Sequence, residues 1–132
     1  MVCILVSDDD VSILKLMATI LTKAGHTVTT SSSGFDTLKR LGIRPEDASI
    51  ELPDLIILDI MMPKCDGYTA AKLIRDHPRT RAIPILAVSA LRELSRLFTT
   101  TVEVQGFLSK PFSPEELIAC VANIIQRCRL AG

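Results

Sequence analysis

Short apolar runs alternate with longer amphipathic segments along the whole chain. Three runs, residues 2–6, 54–58 and 83–88, are almost continuously apolar, which is typical of strands buried on both faces. Two shorter and more polar runs, residues 26–30 and 106–109, are typical of strands nearer a sheet edge or the end of the chain. The alternation predicts an α/β fold, in which helices cover both faces of a parallel sheet.

The segments between the runs carry helical patterns. Apolar positions recur at helical spacing between residues 13 and 24. Gly25 follows them, where a C-terminal cap with left-handed backbone conformation is expected. Near the C-terminus, Ser113 and Glu116 form a capping box around Pro114. Four further helices are predicted over residues 34–41, 68–75, 91–101 and 114–127, which gives five βα units. Residues 42–53 show no periodic pattern and are expected to form an irregular surface loop.

Length and composition indicate one globular domain over residues 1–132. Hydrophobic residues make up 48% of the chain, enough for a single buried core. Fifteen basic residues balance fifteen acidic ones, so direct nucleic-acid binding is not expected. No apolar run is long enough to span a bilayer, and the residues MVCILVSDDD lack the basic region and the length of apolar sequence typical of a signal peptide. We therefore expect a cytoplasmic protein without membrane contact. The four cysteines form no Cys-x-x-Cys pair, and we expect reduced, mostly buried thiols.

Polar side chains collect where the predicted strands end. The first run is followed by SDDD at residues 7–10, the third by Asp59, the fourth by Ser89 and the fifth by Lys110. The carboxyl ends of parallel strands meet at one edge, so these groups should lie together. Several carboxylates beside one lysine leave an excess of negative charge, and oxygen ligands without histidine or thiolate favour Mg²⁺ or Mn²⁺. The sequence therefore predicts a magnesium-assisted phosphoryl site.

Some of these residues have a simpler structural explanation. Asp10 precedes the first helical pattern, where we expect it to act as an N-terminal cap, a role that Asp9 could share. Asp59 instead closes the buried run LIIL, where an unpartnered carboxylate would be strongly destabilised by desolvation. Neither Ser89 nor Lys110 indicates a function by itself. They indicate a phosphoryl site only because they follow the acids in this order and at the ends of neighbouring strands.

Four motifs resemble the receiver domain of the bacterial two-component response-regulator family. They are LVSDDD at the first strand, DLIILDIMMPKCDG at the third, ILAVSA at the fourth and GFLSKPF at the fifth. The resemblance covers the whole chain and is to stand-alone receivers of the chemotaxis-regulator type. It implies a doubly wound, five-stranded parallel sheet of the flavodoxin-like (βα)5 type, with strand order 2-1-3-4-5.

The resemblance also assigns roles around the acidic residues. Asp59 would be the phosphoacceptor and one of the Mg²⁺ ligands. Asp9 would be a direct ligand, Asp8 a ligand through water, and the main-chain carbonyl of Met61 a further ligand.

The remaining roles fall on the last two strands. Lys110 would pair with the phosphoryl oxygens, and Ser89 would donate its hydroxyl to the phosphoryl group. Phe107 occupies the position of the family's switch aromatic, whose side chain would swing inward when the Ser89 hydroxyl moves. The Lys110–Pro111 bond resembles one that the family often holds cis.

A phosphorylation-dependent switch, and not a turnover enzyme, is the function that the resemblance implies. Asp59 would accept a phosphoryl group from a sensor histidine kinase or phosphotransfer protein in a Mg²⁺-dependent reaction, and the switch would signal to a downstream protein target. Only RLAG follows Cys128, so we expect output through a partner. A receiver excised from a longer regulator or hybrid kinase is the alternative.

Two other function classes fit the residues less well. A magnesium-dependent phosphatase of the haloacid-dehalogenase type places its aspartate nucleophile with the first strand, whereas the candidate here is Asp59 after the third. A flavodoxin-like cofactor binder needs a phosphate-cradling loop after the first strand, and SDDD would repel the phosphate.

Overall fold

Five strands and four helices lie in the residues that this computed structural model describes, which are 2–60, 67–90 and 103–131. The helix predicted over residues 91–101 lies outside them. The elements, numbered in chain order, are β1 Cys3–Ser7, α1 Val11–Lys23, β2 Thr27–Ser31, α2 Gly34–Arg40, β3 Leu55–Asp59, α3 Gly67–Asp76, β4 Ile85–Ser89, β5 Gly106–Ser109 and α4 Pro114–Ala131.

The five strands form one parallel sheet in the order β2-β1-β3-β4-β5. This confirms both the α/β class and the expected strand order. Ser7 lies opposite Ser31 on one side and Leu58 on the other. The register therefore brings the carboxyl ends of the first three strands to the same level of the sheet.

Each of the first four strands ends one residue later than the apolar pattern predicts. The extra residues are polar, and all four are buried: Ser7, Ser31, Asp59 and Ser89. An apolar run ends at its last apolar residue, whereas the strand continues for as long as its backbone pairs with its neighbours. These four polar side chains consequently stand on the last rung of the sheet, whereas Asp8, Asp9 and Lys110 directly follow the strand ends.

Alternate residues of the strands feed two apolar layers. On one face Val6, Ile57 and Val88 pack with buried residues of α1 and α4 such as Met17 and Val121. The opposite face is packed against α3, with core residues Leu5, Ile56, Leu58, Ala70, Ala71, Ile74 and Ala87. Both faces are covered, which holds the polar strand ends in a fixed frame.

The helix ends follow the predicted signals. The Asp10 carboxylate accepts hydrogen bonds from the amides of Ser12 and Ile13 at the start of α1, so the cap is confirmed. Gly25 has a φ of 98° after that helix. At α4, the Ser113 hydroxyl and the Glu116 carboxylate bond reciprocally to each other's backbone amides.

The loop at residues 42–53 is tied to the segment between α3 and β4. The Arg79 guanidinium donates to the carbonyls of Asp47 and Ile50, at 3.0 and 2.9 Å. The connection is therefore held by long-range hydrogen bonds, although its own sequence shows no periodic pattern.

The expectation of buried thiols is wrong for the cysteines that the structure describes. Cys3 and Cys128 are exposed, Cys120 is half-buried, and all three are free thiols. Cys3 is the first residue of β1 and Cys128 lies near the end of α4, where apolar neighbours do not enclose them. No helix in the described residues has the length and apolar character needed to cross a membrane.

Candidate functional site

Three carboxylates converge where β1 and β3 end side by side. Ligand oxygens of Asp8, Asp9 and Asp59 all lie within 4.8 Å of one another. Asp8 is fully buried, Asp59 is 4% exposed, and Asp9 is exposed. The cluster therefore has two buried members, Asp59 at the end of β3 and Asp8 directly after β1, and one exposed member, Asp9, that is open to solvent.

Lys110 reaches both buried carboxylates. Its Nζ donates to Oδ2 of Asp8 at 2.8 Å and to Oδ2 of Asp59 at 3.1 Å. The residue follows β5 directly, and its amide donates to the carbonyl of Ser89 at 2.9 Å. The Lys110–Pro111 peptide bond is cis, in agreement with the resemblance. The side chain thus bridges groups that are 102 and 51 residues away in sequence.

Burial and charge compete in this cluster. Burial raises the pKa of the Asp8 carboxyl and outweighs the hydrogen bond from Lys110 that would lower it. Burial also acts to lower the pKa of Lys110, but its hydrogen bond to Asp8 and the charges of Asp59 and Asp8 raise that pKa overall. The lysine is therefore held firmly as an ammonium, beside carboxylates that carry more negative charge than it balances.

The donor set fits a hard divalent cation. It consists of carboxylate oxygens, with an ammonium group as the neighbouring charge, and such oxygen ligands suit Mg²⁺ or Mn²⁺. The exposed Asp9 leaves an approach from solvent. Met61, whose carbonyl the resemblance adds to the ligands, lies outside the described residues.

Ser89 and Phe107 lie on the two strands beside the cluster. Ser89 is buried at the end of β4, one residue after Val88, which stands opposite Asp59. Phe107 lies on β5, opposite Ala87 of β4. It is partly buried against the apolar layer that includes Ala87. Because side chains alternate along a strand, Ser89 and Phe107 point to the same face of the sheet.

Gly67 is a site-shaping residue that the sequence analysis did not identify. It is the buried first residue of α3, and a Cβ there would come closer than 3.0 Å to the main-chain carbonyl of Asp59 and to the Cα of Ile60. The glycine after the CD pair in DIMMPKCDG is the signal that could have indicated this close approach.

Comparisons with known proteins agree with this geometry. A family model described as the response regulator receiver domain matches residues 4–122. The alkaline phosphatase synthesis transcriptional regulatory protein PhoP of Bacillus subtilis (strain 168) is 36% identical over 130 residues, which are 98% of this chain and 50% of PhoP.

Solved structures share the same fold. A response regulator from Chloroflexus aurantiacus J-10-fl superposes with a TM-score of 0.83 at 32% identity, covering 95% of this chain and 98% of that one. The receiver domain of the sensor histidine kinase PA1611 from Pseudomonas aeruginosa PAO1 has a TM-score of 0.83 at 25% identity, with 95% and 98% of the two chains covered. That structure has a magnesium ion coordinated in its active site cleft.

The chain spans about half the length of the curated relatives it matches. PhoP is named as a transcriptional regulator, so the expectation of no nucleic-acid partner does not fit these longer relatives as whole proteins. Receiver domains bind Mg²⁺ at an acidic pocket, imply a histidine kinase partner, and are generally not turnover enzymes. The family match favours this class over the phosphatase and cofactor-binding alternatives. With residues 4–122 matched and the sheet order shared, the chain belongs to the response-regulator receiver family, whose members act in phosphorylation-dependent two-component signalling.

Proposed function

We propose that Asp59 is the phosphoacceptor of this receiver. The observation that carries the proposal is the position of Lys110, whose ammonium group lies 3.1 Å from the Asp59 carboxylate and 2.8 Å from that of Asp8. A buried carboxylate at the end of a central strand, beside a fixed positive charge, is suited to receive a dianionic phosphoryl group.

The transfer requires little covalent machinery from the protein. A carboxylate oxygen of Asp59 attacks the phosphorus of a phosphohistidine, the phosphorus–nitrogen bond breaks, and the leaving imidazole keeps the electron pair and takes up a proton. Lys110 donates hydrogen bonds to the phosphoryl oxygens, and Ser89 donates its hydroxyl once the group is in place. Water later hydrolyses the acyl phosphate, so the domain resets itself and is not a turnover enzyme.

Asp8, Asp9 and Asp59 are the described residues that would hold Mg²⁺, with the carbonyl of Met61 as the proposed fourth ligand. When bound, the ion supplies positive charge to the phosphoryl oxygens. Without it, three carboxylates face one ammonium group, and that excess charge would repel an incoming phosphoryl group. Phosphorylation should therefore require the metal.

The proposed partners follow from this chemistry. The phosphoryl donor is a sensor histidine kinase or a phosphotransfer protein, and the cytoplasm is the proposed site of the reaction. The output is a conformational change in which Ser89 and Phe107 report the phosphoryl group to a downstream protein target. Their position on one sheet face, on neighbouring strands, supports that coupling.

Intact-protein mass spectrometry after incubation with acetyl phosphate tests the proposal. We expect one phosphoryl adduct in the presence of Mg²⁺, and none with chelator or in Asp59→Asn. Asp10→Asn is the matched control, because asparagine also caps helices and Asp10 serves α1; this variant should be phosphorylated like the wild type. An adduct that survives Asp59→Asn or chelation would overturn the assignment.

A further inference from the structure

Three buried hydroxyl groups form a cluster where β1, β2 and α2 meet. The Thr37 hydroxyl lies 2.8 Å from that of Ser7 and 2.9 Å from that of Ser31. The exposed fractions of the three residues are at most 1%. The cluster therefore links the last residues of two strands to the first turns of a helix.

The cluster is anchored to the backbone of Ser33. The carbonyl of Ser33 accepts from the Thr37 hydroxyl at 2.7 Å and from the Ser31 hydroxyl at 3.0 Å. Ser33 also caps α2, because its hydroxyl accepts from the amide of Asp36 at 3.0 Å. Buried hydroxyls without partners would be destabilising, so the bond from Ser31 to Ser33 and the hydroxyl contacts of Thr37 with Ser7 and Ser31 oppose movement of α2 away from the strand ends. The other two bonds are internal to the start of the helix.

The same residues hold the backbone of Asp8. Ser7 directly precedes Asp8, and the amide of Asp8 donates to the carbonyl of Ser31 at 3.1 Å. Asp8 is fully buried and its carboxylate is already bonded to Lys110 and to the amide of Asp10. A small displacement of Ser7 or Ser31 would therefore move this carboxylate relative to Asp9 and Asp59.

We propose that Ser7, Ser31 and Thr37 are positioning residues for the metal site, which couple the first turns of α2 to the orientation of Asp8. This inference rests on the proposed function, because it assumes that the acid cluster binds Mg²⁺. Hydrogen-bonded groups behind metal ligands commonly change metal affinity by 10-fold or more when they are removed. Here the cluster is made of neutral hydroxyls, and it acts through the preceding residue Ser7 and through the bond between the Asp8 amide and the Ser31 carbonyl.

Calorimetric titration with Mg²⁺ on a set of Thr37 variants tests the proposal. Thr37→Val removes the hydroxyl and keeps the side-chain shape, and we expect the Mg²⁺ dissociation constant to rise roughly tenfold. Thr37→Ser retains the hydroxyl and should bind Mg²⁺ like the wild type. Thr29→Val, at an exposed position of β2, is the control and should leave the affinity unchanged.

Other outcomes would overturn the inference. If Thr37→Val lowers thermal stability but leaves the Mg²⁺ affinity unchanged, the cluster serves only the fold. If Val and Ser weaken binding equally, packing at Thr37 matters and its hydroxyl does not. Ser7→Ala is a second, smaller change that should weaken binding in the same direction, should Thr37→Val prove too unstable to titrate. A wild-type protein that binds no Mg²⁺ would overturn the proposed metal site together with this inference.

Hydrogen exchange provides a readout independent of phosphorylation. Because coupling between sites is reciprocal, Mg²⁺ should slow exchange of the Thr37 amide, which donates to the Ser33 carbonyl, in the wild type. The effect should be lost in Thr37→Val. Equal Mg²⁺-dependent protection in both proteins would contradict the coupling.

Discussion

Asp8 is the most constrained carboxylate of the site. It is fully buried, burial raises its pKa, and it shares Lys110 with Asp59. With Asp9 at the mouth, three carboxylates face one ammonium group. Without a cation the cluster therefore destabilises the fold electrostatically.

Asp8→Asn is predicted to stabilise the metal-free protein and to remove its response to Mg²⁺. The substitution removes one buried charge and keeps an oxygen that can accept from the Asp10 amide, so we expect the free energy of unfolding to rise by about 1 kcal/mol or more without Mg²⁺. Urea unfolding with and without the metal measures both effects. Asp54→Asn, at an exposed acid, should keep the wild-type response; a destabilised Asp8→Asn would refute the charge argument.

Cys120 and Cys128 are two free thiols on α4 whose reactivities can be compared. Burial, followed by the charge of Glu116, raises the pKa of Cys120, whereas Cys128 is exposed. The thiolate is the reactive form, so a raised pKa leaves less of it at neutral pH. We predict slower alkylation of Cys120 by iodoacetamide, followed by peptide mass spectrometry, with its rate rising at higher pH. Faster labelling of Cys120 than of Cys128 would show that this description of the helix surface is wrong.

At the scale of elements, the packing of the start of α3 against the end of β3 sets the shape of the site. Gly67 begins the helix directly against the backbone of Asp59 and Ile60. The helix packs closely because its inward residues, Ala70 and Ala71, are small and fully buried. The backbone of the candidate phosphoacceptor, Asp59, is thus packed against Gly67, and its carboxylate is bonded to Lys110.

Gly67→Ala is predicted to displace the end of β3. The added methyl group has no room, so we expect a loss of roughly 1–3 kcal/mol in the free energy of unfolding, together with weaker Mg²⁺ binding. Gly25→Ala is a control with a different cause of instability, because Gly25 has a φ of 98° but a Cβ there would meet no atom within 4 Å. That variant should lose stability yet bind Mg²⁺ normally, as thermal unfolding and metal titration can show. Normal Mg²⁺ binding by Gly67→Ala would argue against this role for the glycine.

The sequence predicted elements well where the signal is local. The cap at Asp10, the positive φ of Gly25 and the capping box at Ser113 depend on neighbours within a few residues, and all three are confirmed. The ends of the first four strands were placed one residue early, because the last rung of each is a polar residue. The hydrophobic pattern shows where apolar side chains stop and does not show where backbone pairing stops.

At the scale of the whole molecule, the parallel sheet explains why much of the site was predictable. All strands point the same way, so polar residues that follow separate apolar runs must meet at one edge, and Asp8, Asp9, Asp59 and Lys110 do so. Contacts between side chains that are distant in sequence have no such rule when they lie away from this edge. The hydrogen bond between the hydroxyls of Thr37 and Ser7 was not foreseen for that reason.

Arg75 is a second long-range anchor that the sequence did not reveal. Its guanidinium donates to the carbonyls of Glu103, Arg81 and Ile83 and to the side chain of Gln105. These bonds tie the end of α3 to the starts of β4 and β5, at the sheet edge opposite the acids. An arginine in a helical pattern gives no sign of such partners, because they depend on how the helix packs.

The central claim is that Asp59 carries the phosphoryl group, and chemical trapping tests it most directly. Borohydride reduces an aspartyl phosphate to homoserine, which peptide sequencing by mass spectrometry locates to a single residue. After treatment with acetyl phosphate and Mg²⁺, we predict homoserine at position 59, and none when the phosphoryl donor is omitted. Homoserine at Asp8 or Asp9, or at no position in a protein that binds Mg²⁺, would contradict the account.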